Sequence, residues 1–501
     1  MIDSTAEEKF KKLWNELSEE EQKEFKKALE NELTLKLPDG RIITLNNEQH
    51  LGVLQIRKWL KSKNQFFTLA GYAGTGKTTI IKKILDEYRG RVVVSAPTHK
   101  AKKVIMRTTE EDGETLHSLL GLRPDLDLDN FNPNDPKFNP IAPPRISTYN
   151  LVIIDEASMI NQELFDLIKK EIEIWDKVKV LFMGDHAQIP PIDEKESVVF
   201  NSIVNKKHEL TQIMRQEDGN PLAPIYSTLR NNLIKEFGGF ERETKMNSKG
   251  EGVIFTKDRK LFREKLFNAF TSNEYSNDID YAKLIAWRNV TVMQSNQLIR
   301  KAIFGNDVDF IVKGDVLMAY RSVRAAKSFY NIIDNSADYL VTNVSNRHQN
   351  QFGLWGYKIR LTETLGNGKK NHQNVFVVDH TDETNLHDYA EIHDNLKILA
   401  KADKTKKEWN RYYAFRRESL IMIKIEKFRN GSRRFYDEII AKDLDYGYAI
   451  TGHKSQGSTY KHVFILEDDM TLNPKIKERN QIKYVALTRP TTTATVLTNI
   501  E

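Results

Sequence analysis

Gly71-Tyr72-Ala73-Gly74-Thr75-Gly76-Lys77-Thr78 spells G-x-x-x-x-G-K-T. An apolar run, Phe66 to Ala70, precedes it, and a helix-like stretch, Thr79 to Leu85, follows. Strand, glycine-rich loop and helix in that order commit the neighbouring residues to a parallel α/β unit. The glycines let successive backbone N–H groups turn inward on a polyphosphate, and the helix N-terminus favours the anion. In such a loop Lys77 reaches the β- and γ-phosphates and Thr78 holds Mg²⁺. The cradle itself falls to Gly71, Ala73, Gly74, Thr75, Gly76 and Thr79. The motif predicts a nucleoside triphosphate ligand.

The rest of the chain extends this pattern. Apolar runs at 66–70, 91–95, 151–154 and 178–183 alternate with helical stretches, which predicts a first parallel-sheet unit over 41–205. A proline-rich insertion, 121–148, interrupts it and reads as a loop or hairpin. A second α/β pattern covers 206–309 and resumes over 441–501, with strands near 284–287, 463–466 and 494–498. Between its halves, 310–440 contains short strands (Tyr339 to Val344, Leu354 to Thr362, Val375 to Val378) that fit a small barrel, then a basic stretch. Residues 1–40 form an accessory segment. Within it, 4–31 read as two amphipathic helices, either docked on the body or open to a partner.

At 501 residues the chain can bury several cores. It has no cysteine, which excludes disulfides and Cys-ligated metal and fits a reducing cytoplasm, although deliberate thiol removal would leave the same composition. The apolar runs are too short to span a bilayer, and the first residues carry no export-signal pattern. A net charge of +6 is too small to identify nucleic acid by itself.

Leu151-Val152-Ile153-Ile154-Asp155-Glu156 is a buried strand ending in two carboxylates. Asp155 is suited to holding Mg²⁺ through water, and Glu156 to polarising the attacking water. A third strand ends in Gly184-Asp185-His186-Ala187-Gln188-Ile189-Pro190-Pro191, where the Gln188 amide can sense the γ-phosphate. Arg215 and Arg489 are candidate cations against the charge that develops there.

This motif set resembles the superfamily 1 helicases, specifically their RecD/Dda-like 5′→3′ subgroup. The similarity runs in order from about Leu45 to Thr498. Gln49 matches the adenine-reading Q motif, Ala96 to Ala101 motif Ia, Thr115-Leu116-His117 motif Ib, and Asp155 to Ser158 motif II. Gly184 to Pro191 resembles motif III, Arg215 lies in motif IV, Tyr448 to Ser458 resembles motif V, and Tyr484 to Arg489 motif VI.

The resemblance implies two RecA-like parallel-sheet motor domains, 1A (41–205) and 2A (206–309 with 441–501). It also implies a pin hairpin, 1B, at 121–148 and an SH3-like barrel insertion, 2B, within 310–440. Pro97, Thr98, His99, Lys100, Thr115 and His117 would meet single-stranded DNA on the first motor domain, and Thr451, His453 and Lys454 on the second. Gln188, Gln456, Arg215 and Arg489 would couple nucleotide state to cleft closure, with Gly457 beside the nucleotide.

The insertion between His117 and Leu151 has room for a hairpin and not for the large helical insertion of 3′→5′ relatives. Phe131 or Phe138 could stack on bases there or simply anchor the hairpin. The basic stretch 401–434, with Trp409, Tyr412, Tyr413 and Phe415, could track a DNA backbone or pack its aromatics on the barrel. The implied activity is ATP- and Mg²⁺-dependent unwinding of DNA by a monomer in a bacterial or phage-infected cytoplasm. It would act at junctions of single- and double-stranded DNA, with single-strand-binding, replication or recombination proteins as further partners. A P-loop kinase or regulatory NTPase shares the P-loop and Asp155 but leaves motifs Ia, V and VI without a role. An accessory subunit of a recombination complex would share every motif.

Overall fold

The computed structural model describes residues 14–15, 18–19, 22–23, 34–36, 42–124, 138–140, 143–175, 177–191, 194–201, 203–212, 220–326, 331–364, 370–402, 407–428 and 436–500. The helices expected over 4–31 lie largely outside these residues. So do Arg215 and Phe131, and for Phe138 only the backbone is described.

The first sheet has six parallel strands in the order Lys207–Leu210, Phe66–Gly71, Lys179–Gly184, Leu151–Ile154, Val92–Ala96, Gly113–Thr115. Its central strands are apolar apart from Thr68, Ser95 and Lys179, because both faces are covered. Ile56, Ile80, Ile84 and Ile105 pack on one face, and Leu116, Phe165, Ile168 and Ile172 on the other. All C-terminal strand ends share one edge, which is where an open parallel sheet presents ligands. The sheet extends past the boundary expected at residue 205, because Lys207–Leu210 is its edge strand, paired to Phe66–Gly71.

The second sheet runs Lys245–Met246, Gly252–Thr256, Pro490–Leu497, Tyr460–Leu466, Ala282–Ala286, Ala449–Thr451. It is parallel except for the antiparallel edge strand Lys245–Met246. Between Ala282–Ala286 and Ala449–Thr451 the chain leaves to build an antiparallel sheet from Val316–Ala319, Asp338–Val344, Trp355–Thr364, Lys370–Val378 and Leu444–Tyr446.

Leu420 and Ile421 join the two ends of this sheet. Leu420 exchanges backbone bonds with Phe376 and Val378, while the Ile421 carbonyl accepts from Asp443 and Leu444, so the sheet curls into a ring. The inserted unit therefore runs to Tyr446 and beyond the boundary expected at 440, since Leu444–Tyr446 pairs with Val316–Ala319.

In the basic stretch, helix Lys407–Glu418 packs on helix Glu383–Ala402 with Tyr412 and Phe415 buried, so the aromatic side is core. Leu122–Pro124 pairs antiparallel with Phe138–Pro140, the base of the expected hairpin. Among the described residues no helix is long and apolar enough to cross a membrane.

Candidate nucleotide site and nucleic-acid face

The glycine-rich loop leaves the C-terminal end of Phe66–Gly71 and enters helix Lys77–Glu87 through Gly76, whose φ of 81° is the left-handed region that favours glycine. A Cβ at Gly76 would lie 2.3 Å from Gln49 Nε2 and would displace that amide. Gln49 is buried in the first turn of helix Asn47–Leu60 by a reciprocal cap with Asn46. Its Nε2 donates to the Thr75 carbonyl at 2.9 Å and its Oε1 accepts from Asn46 N at 3.0 Å. The residue expected to read adenine thus also holds the loop.

The Lys77 ammonium donates to the Gly71 and Tyr72 carbonyls at 2.8 and 2.9 Å. Burial lowers its pKa, and Asp185, Asp155 and Glu156 act in the opposite sense.

Asp155 and Glu156 end strand Leu151–Ile154. Asp155 Oδ1 accepts from Glu156 N at 2.8 Å, and Glu156 itself holds a φ of 51°, an uncommon conformation for a side chain of its size. Burial raises the pKa of both carboxyls. For Glu156 the value reaches about 7, with repulsion from Asp155 adding to burial while Arg489 and Lys77 oppose it. Glu156 Oε2 and Gln188 Oε1 are buried without a hydrogen-bond partner, so both retain capacity for a ligand or a water.

The second sheet closes over this edge. Tyr484 OH donates to Asp185 Oδ2 and accepts from Ala73 N at 3.3 Å. Gln456 Nε2 donates to the Ile189 carbonyl at 3.2 Å, and Gln481 Nε2 to the Gln188 carbonyl at 2.9 Å. A Cβ on Gly457 would stand 2.7 Å from that of Ala101, a contact between the two units.

Arg489 is buried and donates to the Ser458 and Val485 carbonyls at 3.1 and 3.0 Å and to Thr488 Oγ1 at 2.8 Å. Its charge still reaches Glu156, as does that of Lys77 from the first sheet. Each unit thus contributes one cation to the surroundings of the Glu156 carboxyl.

The residues expected at DNA divide into two kinds. Thr98 and Thr115 use their hydroxyls as N-caps for helices His99–Thr109 and Leu116–Leu119, which fixes the loops they occupy, with Pro97 just before the first cap. Thr451 Oγ1 likewise accepts from Lys454 N at 3.3 Å. Burial lowers the His117 pKa to about 4, leaving a neutral ring, and desolvation also lowers that of His453, although His453 keeps solvent-exposed surface.

The basic side chains meet carboxylates of the inserted antiparallel unit. His99 Nδ1 stands 3.1 Å from Asp334 and its Nε2 3.2 Å from Glu363. Lys100 Nζ is 2.8 Å from Asp338, and Lys103 Nζ is 3.5 Å from Glu363. Lys454 Nζ sits 4.3 Å above the Tyr320 ring, with its pKa lowered to about 8 by burial and by repulsion from Lys100 and Lys442. The lysines of motifs Ia and V are thus brought near each other across the two units.

Sequence reasoning missed Arg230, Asp334 and Glu363. Arg230 is the single basic residue of helix Leu222–Asn231 and matches no motif, and the two carboxylates lie in the inserted unit, outside the helicase motifs. Glu48 was also passed over. Its carboxylate accepts from Thr211 N and Oγ1 and from Gln212 N, fastening the chain that leads toward Arg215.

Two family models match the chain, an AAA domain over residues 44–245 and a UvrD-like helicase C-terminal domain over 446–497. The ATP-dependent DNA helicase Dda of Enterobacteria phage T4 is 28% identical over 71% of this chain and 80% of its own length. An uncharacterised protein, R530, of Acanthamoeba polyphaga mimivirus is 26% identical over 89% of this chain and 98% of its own. The ATP-dependent RecD2 DNA helicase of Deinococcus radiodurans is 30% identical over 36% of this chain and 25% of its own. With the P-loop, the paired carboxylates and the second sheet meeting at one seam, these matches support a superfamily 1 helicase of the RecD/Dda/Pif1 type.

Proposed function

We propose that this chain is an ATP-driven DNA helicase that moves 5′→3′ along single-stranded DNA. The observation that carries the reading is the seam itself: Tyr484 of the second sheet bonds Asp185 and Ala73 N of the glycine-rich loop, Gln456 bonds the Ile189 carbonyl, and Lys77 and Arg489 both lower the Glu156 pKa. A triphosphate between them would be bound by one unit and sensed by the other.

Gly71, Ala73, Gly74, Thr75, Gly76, Thr78 and Thr79 form the cradle, with Gln49 above it and Gln456 and Gly457 on the opposite wall. Thr78 and Asp155 offer two hard oxygens, a donor set that fits Mg²⁺ carrying its own waters and phosphate oxygens. That ion supplies charge neutralisation on the phosphates. Glu156, with its raised pKa and unpartnered Oε2, is suited to accept a proton from the attacking water near neutral pH. Gln188, Arg215 and Arg489 complete the set that answers to the γ-phosphate.

Closing and reopening of the seam would alternate the grip of Pro97 to Lys100, Thr115 and His117 with that of Thr451 to Lys454. Phosphate contacts dominate such a grip, which makes it strong in low salt and nearly blind to sequence. The antiparallel ring is read as the SH3-like insertion. The hairpin based on Leu122–Pro124 and Phe138–Pro140 is read as the strand-separating pin, with Phe131 or Phe138 as its wedge. The short insertion favours the 5′→3′ direction.

Lys77→Ala should abolish DNA-stimulated ATP hydrolysis while single-strand binding survives. Unchanged turnover would remove the nucleotide assignment. Strand displacement should require a 5′ overhang, and equal activity on a 3′ overhang would overturn the direction.

A further inference from the structure

We propose that Arg230 is a positioning residue that makes closure of the seam depend on the conformation of the P-loop, acting through the ring of Tyr72. This inference rests on the nucleotide assignment above and adds a residue to it.

Arg230 lies in helix Leu222–Asn231, whose Leu222, Ala223, Ile225, Tyr226 and Leu229 pack into the core of the second sheet. Its guanidinium leaves that core and crosses to the first sheet. Nε and Nη2 donate to Asp185 Oδ1 at 3.2 and 3.1 Å. The guanidinium carbon sits 3.5 Å from the centroid of the Tyr72 ring, a stacked cation–π contact. Glu209 at 3.7 Å and His186 at 3.3 Å complete its surroundings, and the side chain is only 6% exposed. Burying a guanidinium is costly unless it is paired, and here the pairing lies entirely on the opposite unit.

Tyr72 is the hinge of the inference. Its carbonyl accepts from Lys77 Nζ at 2.9 Å while its ring lies under Arg230. Lys77 cannot turn from that carbonyl toward a phosphate without changing the environment of the same residue whose ring carries Arg230. Asp185 couples them a second time, since its charge acts on Lys77 while its Oδ1 binds Arg230. One aromatic residue of the P-loop thus reports the position of the phosphate-binding lysine to a helix of the second unit.

Lysine and arginine are not equivalent in such a stack, because only the guanidinium is planar. Arg230→Lys keeps a charge beside Asp185 but loses the stack, whereas Tyr72→Leu keeps the Arg230–Asp185 pair and removes the ring. Both should lower kcat of DNA-stimulated ATP hydrolysis roughly tenfold, with KM for ATP within about twofold, because closure follows nucleotide binding. Tyr72→Phe, which retains the ring, should recover most of the kcat lost in Tyr72→Leu.

Wild-type kcat in both Arg230→Lys and Tyr72→Leu overturns the proposal, as does a loss in Tyr72→Phe equal to that in Tyr72→Leu. A rise in KM at unchanged kcat overturns it too, since that marks a ground-state contact. Lys77→Ala, measured alongside, separates the two layers. Turnover in that variant sinks the nucleotide assignment, while its inactivity beside fully active Arg230 and Tyr72 variants sinks only the relay.

Discussion

The seam between the two parallel sheets and the face between the first sheet and the inserted antiparallel unit are both rich in charge, yet their side chains are satisfied differently. At the seam Arg230 and Tyr484 meet Asp185, but Glu156 Oε2 and Gln188 Oε1 have no hydrogen-bond partner. On the other face His99, Lys100 and Lys103 each stand beside a carboxylate of Asp334, Asp338 or Glu363. At the seam a water can add bonds to Glu156 Oε2 and Gln188 Oε1, while Lys77 exchanges neutral backbone carbonyls for phosphate. The second face can take up a phosphate only by exchanging it for a carboxylate, so the two sites load by different physics.

The sharpest break between them is Arg489→Ala. An arginine acting on the γ-phosphate contributes about 10³–10⁵ in rate, so the variant should lose at least about 10³ in kcat with single-strand affinity intact. Equal losses in ATP turnover and DNA affinity would merge the two regions into one.

Next comes pH. In its proposed role Glu156 is a base only when ionised, and with a pKa of about 7 its ionised fraction falls as pH drops. The rate should therefore decline about tenfold between pH 8 and pH 6. Glu156→Gln should flatten that profile at a low rate, and an unaltered slope would remove the base role.

Smaller effects belong to the other face. Glu363→Gln removes the carboxylate facing His99 and Lys103 and should tighten single-strand binding about fivefold at low salt, the scale of one exchanged ion pair. Weaker binding would show that Glu363 organises the face instead of competing for it. Smallest is the titration of Lys454, which carries its charge below about pH 8 and loses it above. Between pH 7 and pH 9 the salt dependence of binding should fall by about one phosphate contact, and Lys454→Met should abolish that change.

The same contrast explains what could be read from residues alone. The strand Leu151–Ile154 and the loop before Lys77–Glu87 follow from local patterns, since a buried parallel strand is apolar along its length and a phosphate loop needs glycine where φ is positive. The partners of each motif were harder to read. Nothing in Leu222–Asn231 marks Arg230 as the residue that crosses to Asp185, because the contact joins positions 185 and 230 through the packing of two separate cores. Asp334 and Glu363 are ordinary strand and turn residues until the antiparallel ring folds against His99. The expected boundaries at 205 and 440 fall just short of the edge strands Lys207–Leu210 and Leu444–Tyr446, which are recognised by pairing and not by pattern.

The central claim is that the seam is a nucleotide-dependent joint, and a distance across it tests that claim most directly. The chain has no cysteine, so Asp86→Cys and Lys477→Cys, both exposed and on opposite units, would give a unique pair of spin labels. Pulsed electron resonance should show the inter-label distance shift to a shorter population when a non-hydrolysable ATP analogue is added, and no shift when Lys77→Ala is present. A distance distribution that is the same with and without the analogue would contradict the account.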